Sequence, residues 1–248
     1  MIYFIGAGPG AVDLITVRSM KLLRQADLVI YAGSLVNPEL LSYCKQDVKI
    51  LNSASMTLEQ VIEAMQAMPR DAVTVRLHTG DPAIYGAIRE QMDRLDALGL
   101  DYEVVPGVSS FCAAAAALPA EYTLPDVSQT VIISRAAGRT PVPEKENLRS
   151  LAAHQASMVL FLSVGMLEKV CRELIEGGYP ERTPAAVVYK ASWPEQEIVR
   201  GTLADLPQKA GHIGKTALIM VGGFLGQEYQ RSRLYDPAFT HGFREAEK

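Results

Sequence analysis

Short apolar segments alternate with amphipathic segments along the first half of the chain. The apolar segments are rich in Ile, Val, Leu and aromatic residues, as strands buried on both faces are. They cover residues 2–5, 28–31, 48–51, 72–77 and 102–105. Between them, apolar residues recur at spacings of three and four, which predicts helices over residues 17–26, 58–68 and 87–98. This alternation predicts a parallel sheet covered by helices.

A second set of elements follows a stretch in which turn residues interrupt both periodicities. The stretch is LPAEYTLPD, residues 118–126, and it is predicted to be a linker. Beyond it, the pattern predicts strands over residues 129–134, 158–163, 185–190, 197–200 and 217–221, and helices over residues 144–154 and 166–176. The predicted organisation is an N-terminal α/β domain with a glycine loop (1–117), the linker (118–126), a C-terminal α/β domain (127–226) and an irregular tail (227–248).

Composition narrows the class of protein. Hydrophobic residues make up 48% and charged residues 21% of the 248 residues, which is typical of a folded globular chain. The net charge of -4 argues against a nucleic-acid partner, and the sequence has no apolar run long enough to span a membrane. Cys44, Cys112 and Cys171 lie far apart without metal-ligand spacing, so we expect a cytoplasmic protein with no metal site.

The first apolar segment leads directly into a glycine loop, GAGPGA, residues 6–11. The loop fits the dinucleotide fingerprint GxGxxG/A, and a plain tight turn is the alternative interpretation. A nicotinamide site also needs an acidic residue at the end of the second strand. That strand ends in YAGS, and the nearby Asp27 stands at its start. Pro9 also removes an N–H group that a pyrophosphate would use, so the pattern disfavours NAD.

Two more loops follow strands and precede helices: HTGDPAIYG, residues 78–86, and PGVSS, residues 106–110. Ligands of open α/β sheets bind outside the carboxyl ends of the strands, so three such loops predict a small-molecule site. Asp81 before Pro82 is also typical of a helix N-cap, and the two roles are compatible. The serine hydroxyls of the last loop are suited to capping a helix or to binding a ligand.

Taken in their order and spacing, these loops carry a resemblance to the tetrapyrrole methylase superfamily. The resemblance rests on GAGPG (6–10), TGDP (79–82) and VPGVS (105–109), and it continues through LFLSVG (160–165), VVYKAS (187–192) and TALIMVG (216–222). Within the superfamily, the chain most resembles the precorrin-4 C(11)-methyltransferases. That closer likeness rests on YAGSLV (31–36), SWPE (192–195) and the tail SRLYDPAFTHG (232–242).

The resemblance implies two α/β domains, an N-terminal one with a parallel sheet and a C-terminal one with a mixed sheet, with S-adenosylmethionine folded between them. It implies C-methylation of precorrin-4 or cobalt-precorrin-4 at C-11 in cobalamin biosynthesis, with S-adenosylhomocysteine as product, by a homodimer. The positions that match cofactor contacts of the family are Pro9, Gly80, Asp81, Ile84, Ser109, Ser110, Val164, Ala191 and Ala217.

The implied substrate is a tetrapyrrole that carries many acetate and propionate groups. Carboxylates are bound best by Arg and Lys, and the candidates here are Arg76, Arg135, Arg139 and Lys190. No general base is identified. Three alternatives stay open: methylation of another corrin-precursor carbon, an NAD-dependent oxidoreductase, and a ligand-sensing module without turnover.

Overall fold

The computed structural model describes residues 1–246 and consists of two compact units. The first unit contains Met1–Ala113 together with Lys190–Glu195. The second contains Ala114–Tyr189 and the chain from Gln196 onward. The domain boundaries expected at residues 118–126 and 226 stay predictions. Among the described residues, no helix has the length and apolar character needed to cross a membrane.

The first unit is built on a five-stranded sheet in which every pair of neighbours is parallel. Its strands are β1 (Ile2–Gly6), β2 (Leu28–Tyr31), β3 (Lys49–Asn52), β4 (Thr74–His78) and β5 (Tyr102–Val105). They lie in the order β3-β2-β4-β1-β5. The predicted parallel sheet is therefore confirmed, and the predicted strand ends differ from the observed ones by at most two residues.

Helices cover both faces of this sheet. They are α1 (Val17–Gln25), α2 (Leu58–Gln66) and α3 (Arg89–Ala97). A fourth helix, α4 (Ser110–Ala117), follows β5, and its last four residues belong to the second unit. Thr57 begins α2 with a capping box, because its side chain accepts from the Gln60 N–H while the Gln60 side chain accepts from the Thr57 N–H. The first three helices were predicted. The fourth was not, because its run of five alanines is apolar on every side and shows no helical period.

Successive residues of β1 point into different cores, as the two-residue repeat of a strand requires. Phe4 packs with Leu28 and Ile62 on the face covered by α2 and α3, and Ile5 packs with Leu23 on the face covered by α1. Phe4, Ile5, Leu23 and Leu28 are fully buried. Burial of both faces explains why these strands read as nearly continuous apolar runs.

The second unit has a five-stranded mixed sheet, as the resemblance implied. Its strands are β6 (Val131–Arg135), β7 (Ser157–Phe161), β8 (Pro184–Tyr189), β9 (Glu197–Thr202) and β10 (Ala217–Val221). They lie in the order β6-β7-β10-β8-β9, and only the β6–β7 pair is parallel.

The helices of the second unit are α5 (Leu148–Ala152), α6 (Leu167–Glu176) and α7 (Leu206–Ala210). The single helix predicted over residues 144–154 is wrong. A 3-10 turn, Glu144–Glu146, comes first, and α5 then starts afresh because the Asn147 side chain accepts from the Ser150 N–H. The tail contains a short 3-10 turn, Arg233–Tyr235, and an isolated bridge between His241 and Arg244.

Two basic side chains lie inside the first unit, on the face of β4 that meets α2 and α3. Arg76 is 7% exposed and donates to the Ile30 carbonyl at 3.1 Å and to Gln91 Oε1 at 3.2 Å. Burial lowers its pKa to about 10. His78, two residues on, is 3% exposed, and its Nε2 has no hydrogen-bond partner among the described residues. Burial and then the charge of Arg76 lower the pKa of His78 to about 3.

This histidine makes stability depend on pH. Unfolded, His78 takes up a proton below its ordinary pKa of 6.5, whereas the folded state excludes that proton down to about pH 3. His78 therefore leaves the free energy of unfolding unchanged above pH 6.5. As the pH falls from 6.5 towards 3, it lowers the free energy of unfolding by about 1.4 kcal/mol per pH unit.

We expect His78→Gln to remove this pH dependence when urea unfolding is compared at several pH values. His154→Gln, which replaces an exposed histidine, should keep the wild-type slope; equal slopes for His78→Gln and wild type would contradict the account.

Candidate functional site

The three loops predicted to form a site follow three neighbouring strands. The glycine loop (6–11) follows β1, the loop over residues 79–86 follows β4, and the loop over residues 106–110 follows β5. In the sheet, β1 lies between β4 and β5. Because all three strands are parallel, the loops leave the same edge side by side. This edge is called the loop edge below.

The loops touch through their glycines, backbone against backbone. Gly8 and Gly80 form an isolated antiparallel bridge, with the Gly80 N–H donating to the Gly8 carbonyl at 2.9 Å and the Gly8 N–H to the Gly80 carbonyl at 3.3 Å. A Cβ added to Gly6 would overlap the Gly80 carbonyl oxygen and the Gly107 Cα. One added to Gly107 would overlap the same Gly80 oxygen. Only glycine permits this approach.

The carboxylate of Asp81 ties two of the loops together. Its Oδ1 accepts from the Ala83 N–H at 2.8 Å, within its own loop, and its Oδ2 accepts from the Gly107 N–H at 2.8 Å. The first contact is an Asx turn. The helix N-cap interpretation of Asp81 is wrong, because residues 82–85 form a turn and α3 begins only at Arg89. Asp81 therefore holds the geometry of the loop edge.

The N–H groups of the glycine loop are largely used by the protein itself. Ala7 donates to the His78 carbonyl at 2.7 Å, Gly8 donates to Gly80, and Ala11 donates to Ser192 Oγ at 3.0 Å. Pro9 has no N–H to offer. A pyrophosphate-binding turn depends on backbone N–H groups that point at the ligand. The glycine loop here lacks that supply, which argues further against dinucleotide binding.

The second requirement of a nicotinamide site is also unmet. Residues 32–34, after β2, contain no acid, and the carboxylate of Asp27 is engaged at the other end of that strand. Asp27 accepts from Lys45 Nζ at 2.5 Å and from the Val73 N–H at 2.7 Å. Its pKa is lowered mainly by the Lys45 hydrogen bond and next by that of Val73. Asp27 is thus a structural carboxylate and not a ribose ligand.

The sequence-derived cofactor residues fall into two groups. Pro9, Gly80, Asp81, Ile84, Ser109 and Ser110 lie on the loop edge, and Ala191 lies in the segment Lys190–Glu195 of the same unit. Val164, at the start of a 3-10 turn after β7, and Ala217, the first residue of β10, belong to the second unit and are 5% and 9% exposed.

Sequence reasoning missed Thr79 as a candidate, although it stands in the TGDP motif. Its Oγ1 is buried and has no hydrogen-bond partner in the part of the chain that the structure describes. A buried hydroxyl without a partner costs free energy, so such an atom beside Gly80 suits a polar ligand group. The available signal was a hydroxyl immediately before the glycine at a strand end.

The four cationic candidates have different surroundings. The guanidinium of Arg76 is buried beneath the sheet surface, as described above. Arg135 cross-links its own loop, donating to the Thr140 carbonyl at 3.2 Å and to the Pro141 carbonyl at 2.6 Å. Lys190 Nζ lies 3.6 Å from Glu195 Oε2. Arg139 is exposed. Burial and internal contacts favour structural roles for Arg76 and Arg135.

Within residues 1–246, no group of three or more His, Cys, Asp or Glu side chains is placed to hold a metal ion. The three cysteines are free thiols.

Comparisons with known proteins agree over most of the chain. Residues 1–207 match the family of tetrapyrrole (corrin/porphyrin) methylases. The cobalt-precorrin-4 C(11)-methyltransferase of Methanocaldococcus jannaschii is 55% identical, and the match covers 100% of this chain and 97% of that protein. The X-ray structure of a cobalt-precorrin-4 methyltransferase superposes with a TM-score of 0.88 at 50% identity, covering 91% of this chain and 96% of that one. A uroporphyrin-III C-methyltransferase from Thermus thermophilus, complexed with S-adenosylhomocysteine, superposes with a TM-score of 0.77 at 25% identity, covering 90% and 98%.

The glycine contact predicts a steric effect. Gly107→Ala places a Cβ against the backbone of Gly80, so we expect the free energy of unfolding to fall by about 2 kcal/mol. Urea denaturation measures this value. Gly214→Ala is the control, since a Cβ there meets nothing within 4 Å, and it should change stability by less than about 0.5 kcal/mol. Equal effects at the two sites would mean that the loops separate easily.

The two hydrogen bonds that Asp81 accepts predict a separate loss of stability. Asp81→Ala leaves the N–H groups of Ala83 and Gly107 without their acceptor, which should lower the free energy of unfolding by about 1–2 kcal/mol. Asp71→Ala removes an exposed carboxylate of the same unit and should have little effect in the same urea titration. A stability of Asp81→Ala equal to that of Asp71→Ala would show that the carboxylate does not fasten the loops.

Proposed function

The chain belongs to the tetrapyrrole methylase family, and we propose that it transfers a methyl group from S-adenosylmethionine to C-11 of precorrin-4 or cobalt-precorrin-4. The observation that carries the proposal is the 55% identity to a cobalt-precorrin-4 C(11)-methyltransferase over the whole chain. The fold agrees, with a TM-score of 0.88 to a solved cobalt-precorrin-4 methyltransferase. The reaction is a step in cobalamin biosynthesis.

Two features of the loop edge support S-adenosylmethionine as its ligand. Thr79 offers a buried hydroxyl that lacks a partner among the described residues, and the glycine contacts keep bulky side chains away from the neighbouring backbone. We assign the cofactor contacts of the first unit to Pro9, Gly80, Asp81, Ile84, Ser109, Ser110 and Ala191. The cofactor roles of Val164 and Ala217 stay predictions from the family resemblance. When bound, S-adenosylmethionine supplies a methyl group that its sulfonium already activates.

The protein's main catalytic task is to hold the donor and acceptor in line. The rigid glycine contacts of the loop edge serve that task. Methyl transfer cancels the sulfonium charge, so a free carboxylate beside it would stabilise the reactant more than the transition state. The two N–H groups that bind Asp81 offset part of its negative charge. Asp81 can therefore lie near the cofactor without strongly opposing the transfer.

The proposed substrate presents carboxylates, which Arg and Lys recognise. Among the four candidates, we favour Arg139, which is exposed. The ammonium of Lys190 already stands beside Glu195 and Trp193. The presence of cobalt is a property of the substrate, so both forms belong in the assay. The homodimeric state and the cytoplasmic location stay predictions.

Calorimetric titration with S-adenosylhomocysteine tests the cofactor assignment, with NAD⁺ as the control ligand. We expect S-adenosylhomocysteine to bind and NAD⁺ not to bind. Asp81→Ala should weaken the binding of S-adenosylhomocysteine about tenfold, because the loop edge loosens. The variant Asp71→Ala should bind as the wild type does. Binding of NAD⁺ alone, or of neither ligand, would overturn the proposal.

The substrate is then tested with precorrin-4, with and without cobalt, and a ¹³C-labelled methyl donor. Transfer of one labelled methyl group to C-11, located by NMR, is the expected result. Label at another ring carbon would keep the methyltransferase class and contradict the position. Binding of S-adenosylhomocysteine without turnover of either form would instead indicate a ligand-sensing module.

A further inference from the structure

The connection between β8 and β9 reaches the glycine loop. Its first six residues, Lys190–Glu195, belong to the first unit and contain Trp193, the single tryptophan of the chain. The indole Nε1–H donates to the Pro9 carbonyl at 2.9 Å. These two residues are 184 positions apart in sequence. A segment far along the chain therefore holds the turn that carries Pro9.

The indole also occupies the space beside Gly10. A Cβ added to Gly10 would overlap Cδ1 and Nε1 of Trp193, so only glycine lets the ring approach. From another direction, the buried Asn37 donates its Nδ2 to the Gly10 carbonyl at 2.9 Å. The carbonyl groups of Pro9 and Gly10 are thus both fixed by side chains from outside the loop.

Ser192 adds a third contact, because its Oγ accepts the Ala11 N–H at 3.0 Å. Ser192 has φ +70° and Lys190 has φ +44°, in the left-handed region that residues other than glycine seldom adopt. Such conformations persist where the surroundings impose them, and they cluster at functional sites. The backbone of this segment is held in an uncommon shape while its side chains contact the glycine loop.

The indole is itself held in place by charge. Lys190 Nζ lies 5.1 Å from the centroid of the Trp193 ring, within the range of a cation–π contact, and 3.6 Å from Glu195 Oε2. The ammonium therefore links the carboxylate to the ring. This arrangement limits the rotation of Trp193 away from Pro9.

We propose that residues 190–195 form a clamp on the glycine loop and that Trp193 is a positioning residue for the methyl donor. The clamp fixes Pro9 and its neighbours before the cofactor arrives, so binding does not have to order the loop. The inference rests on the proposed function, since Pro9 is one of the proposed cofactor contacts. Trp193 acts through the loop.

The first test uses Trp193 as its own reporter. Since the protein has one tryptophan, emission excited at the red edge of the absorption band, where its ten tyrosines absorb little, reports on the clamp alone. Because the clamp is formed before the cofactor arrives, we expect the wavelength of maximum emission to stay nearly unchanged when S-adenosylhomocysteine saturates the protein. A large shift, with a midpoint that matches the calorimetric Kd, would show that Trp193 is positioned only on binding and would overturn the preformed clamp.

The second test removes one contact of the ring. Trp193→Phe keeps an aromatic ring but loses the N–H donated to Pro9, and we expect about three- to tenfold weaker binding of S-adenosylhomocysteine by calorimetry. The KM for S-adenosylmethionine should rise by a similar factor with kcat nearly unchanged, a split that general destabilisation would not produce. Ser42→Ala, which removes an exposed serine of the same unit, is the matched control. Wild-type affinity in Trp193→Phe would overturn the proposal.

Gly10→Ala tests the same contact from the other side, since its Cβ displaces the indole. We expect weaker binding here too, and the double variant with Trp193→Phe should lose less than the sum of the two single losses, because both remove one interaction. Full additivity would contradict the clamp. Failure of the wild type to bind S-adenosylhomocysteine would overturn the proposed function itself, whereas wild-type binding that neither substitution changes would overturn only the clamp.

Discussion

The close approach of three backbone segments at Gly6, Gly80 and Gly107 is the constraint on which the first unit's site depends. No side chain fits between them, so the loops after β1, β4 and β5 meet through peptide groups. Asp81 then fastens two of these loops by accepting hydrogen bonds from both. Because parallel strands deliver the loops to one edge, this contact fixes their geometry on a rigid sheet. A positioning reaction such as methyl transfer benefits from that rigidity.

The hydrogen-bond partners of its backbone N–H groups distinguish this glycine loop from a nucleotide-binding turn of similar sequence. Both share the spacing of small residues, but here the N–H groups of Ala7, Gly8 and Ala11 donate to protein acceptors. A dinucleotide turn needs those groups for phosphate. The fingerprint alone therefore describes a tight strand-to-helix connection, and the partners of its backbone groups decide the ligand class. In this chain those partners include Ser192, which no local pattern connects with the loop.

The elements that sequence reasoning predicted well are those with a strong local period. The buried strands of the first sheet and α1 to α3 show such a period, and each was located to within about two residues. The failures have physical causes. The alanine-rich α4 has no polar face to reveal it, and Asn147 restarts a helix that periodicity had joined to the preceding turn. Arg76 was a candidate for substrate binding because charge alone was visible, whereas the fold buries it beside Gln91.

The alternation of apolar segments, the order of the three loops and the family resemblance could all be predicted from the sequence, because each is built from short motifs whose own residues are adjacent in the chain. The sequence could not predict the role of Asp81, the burial of Arg76 or the contact between Trp193 and Pro9. Each joins positions that are distant in sequence, 184 apart in the last case, and chain folding alone brings them within hydrogen-bond reach. The local sequence pattern thus determines the order of strands and helices and indicates the class of chemistry. Tertiary packing determines which partner each polar group finds.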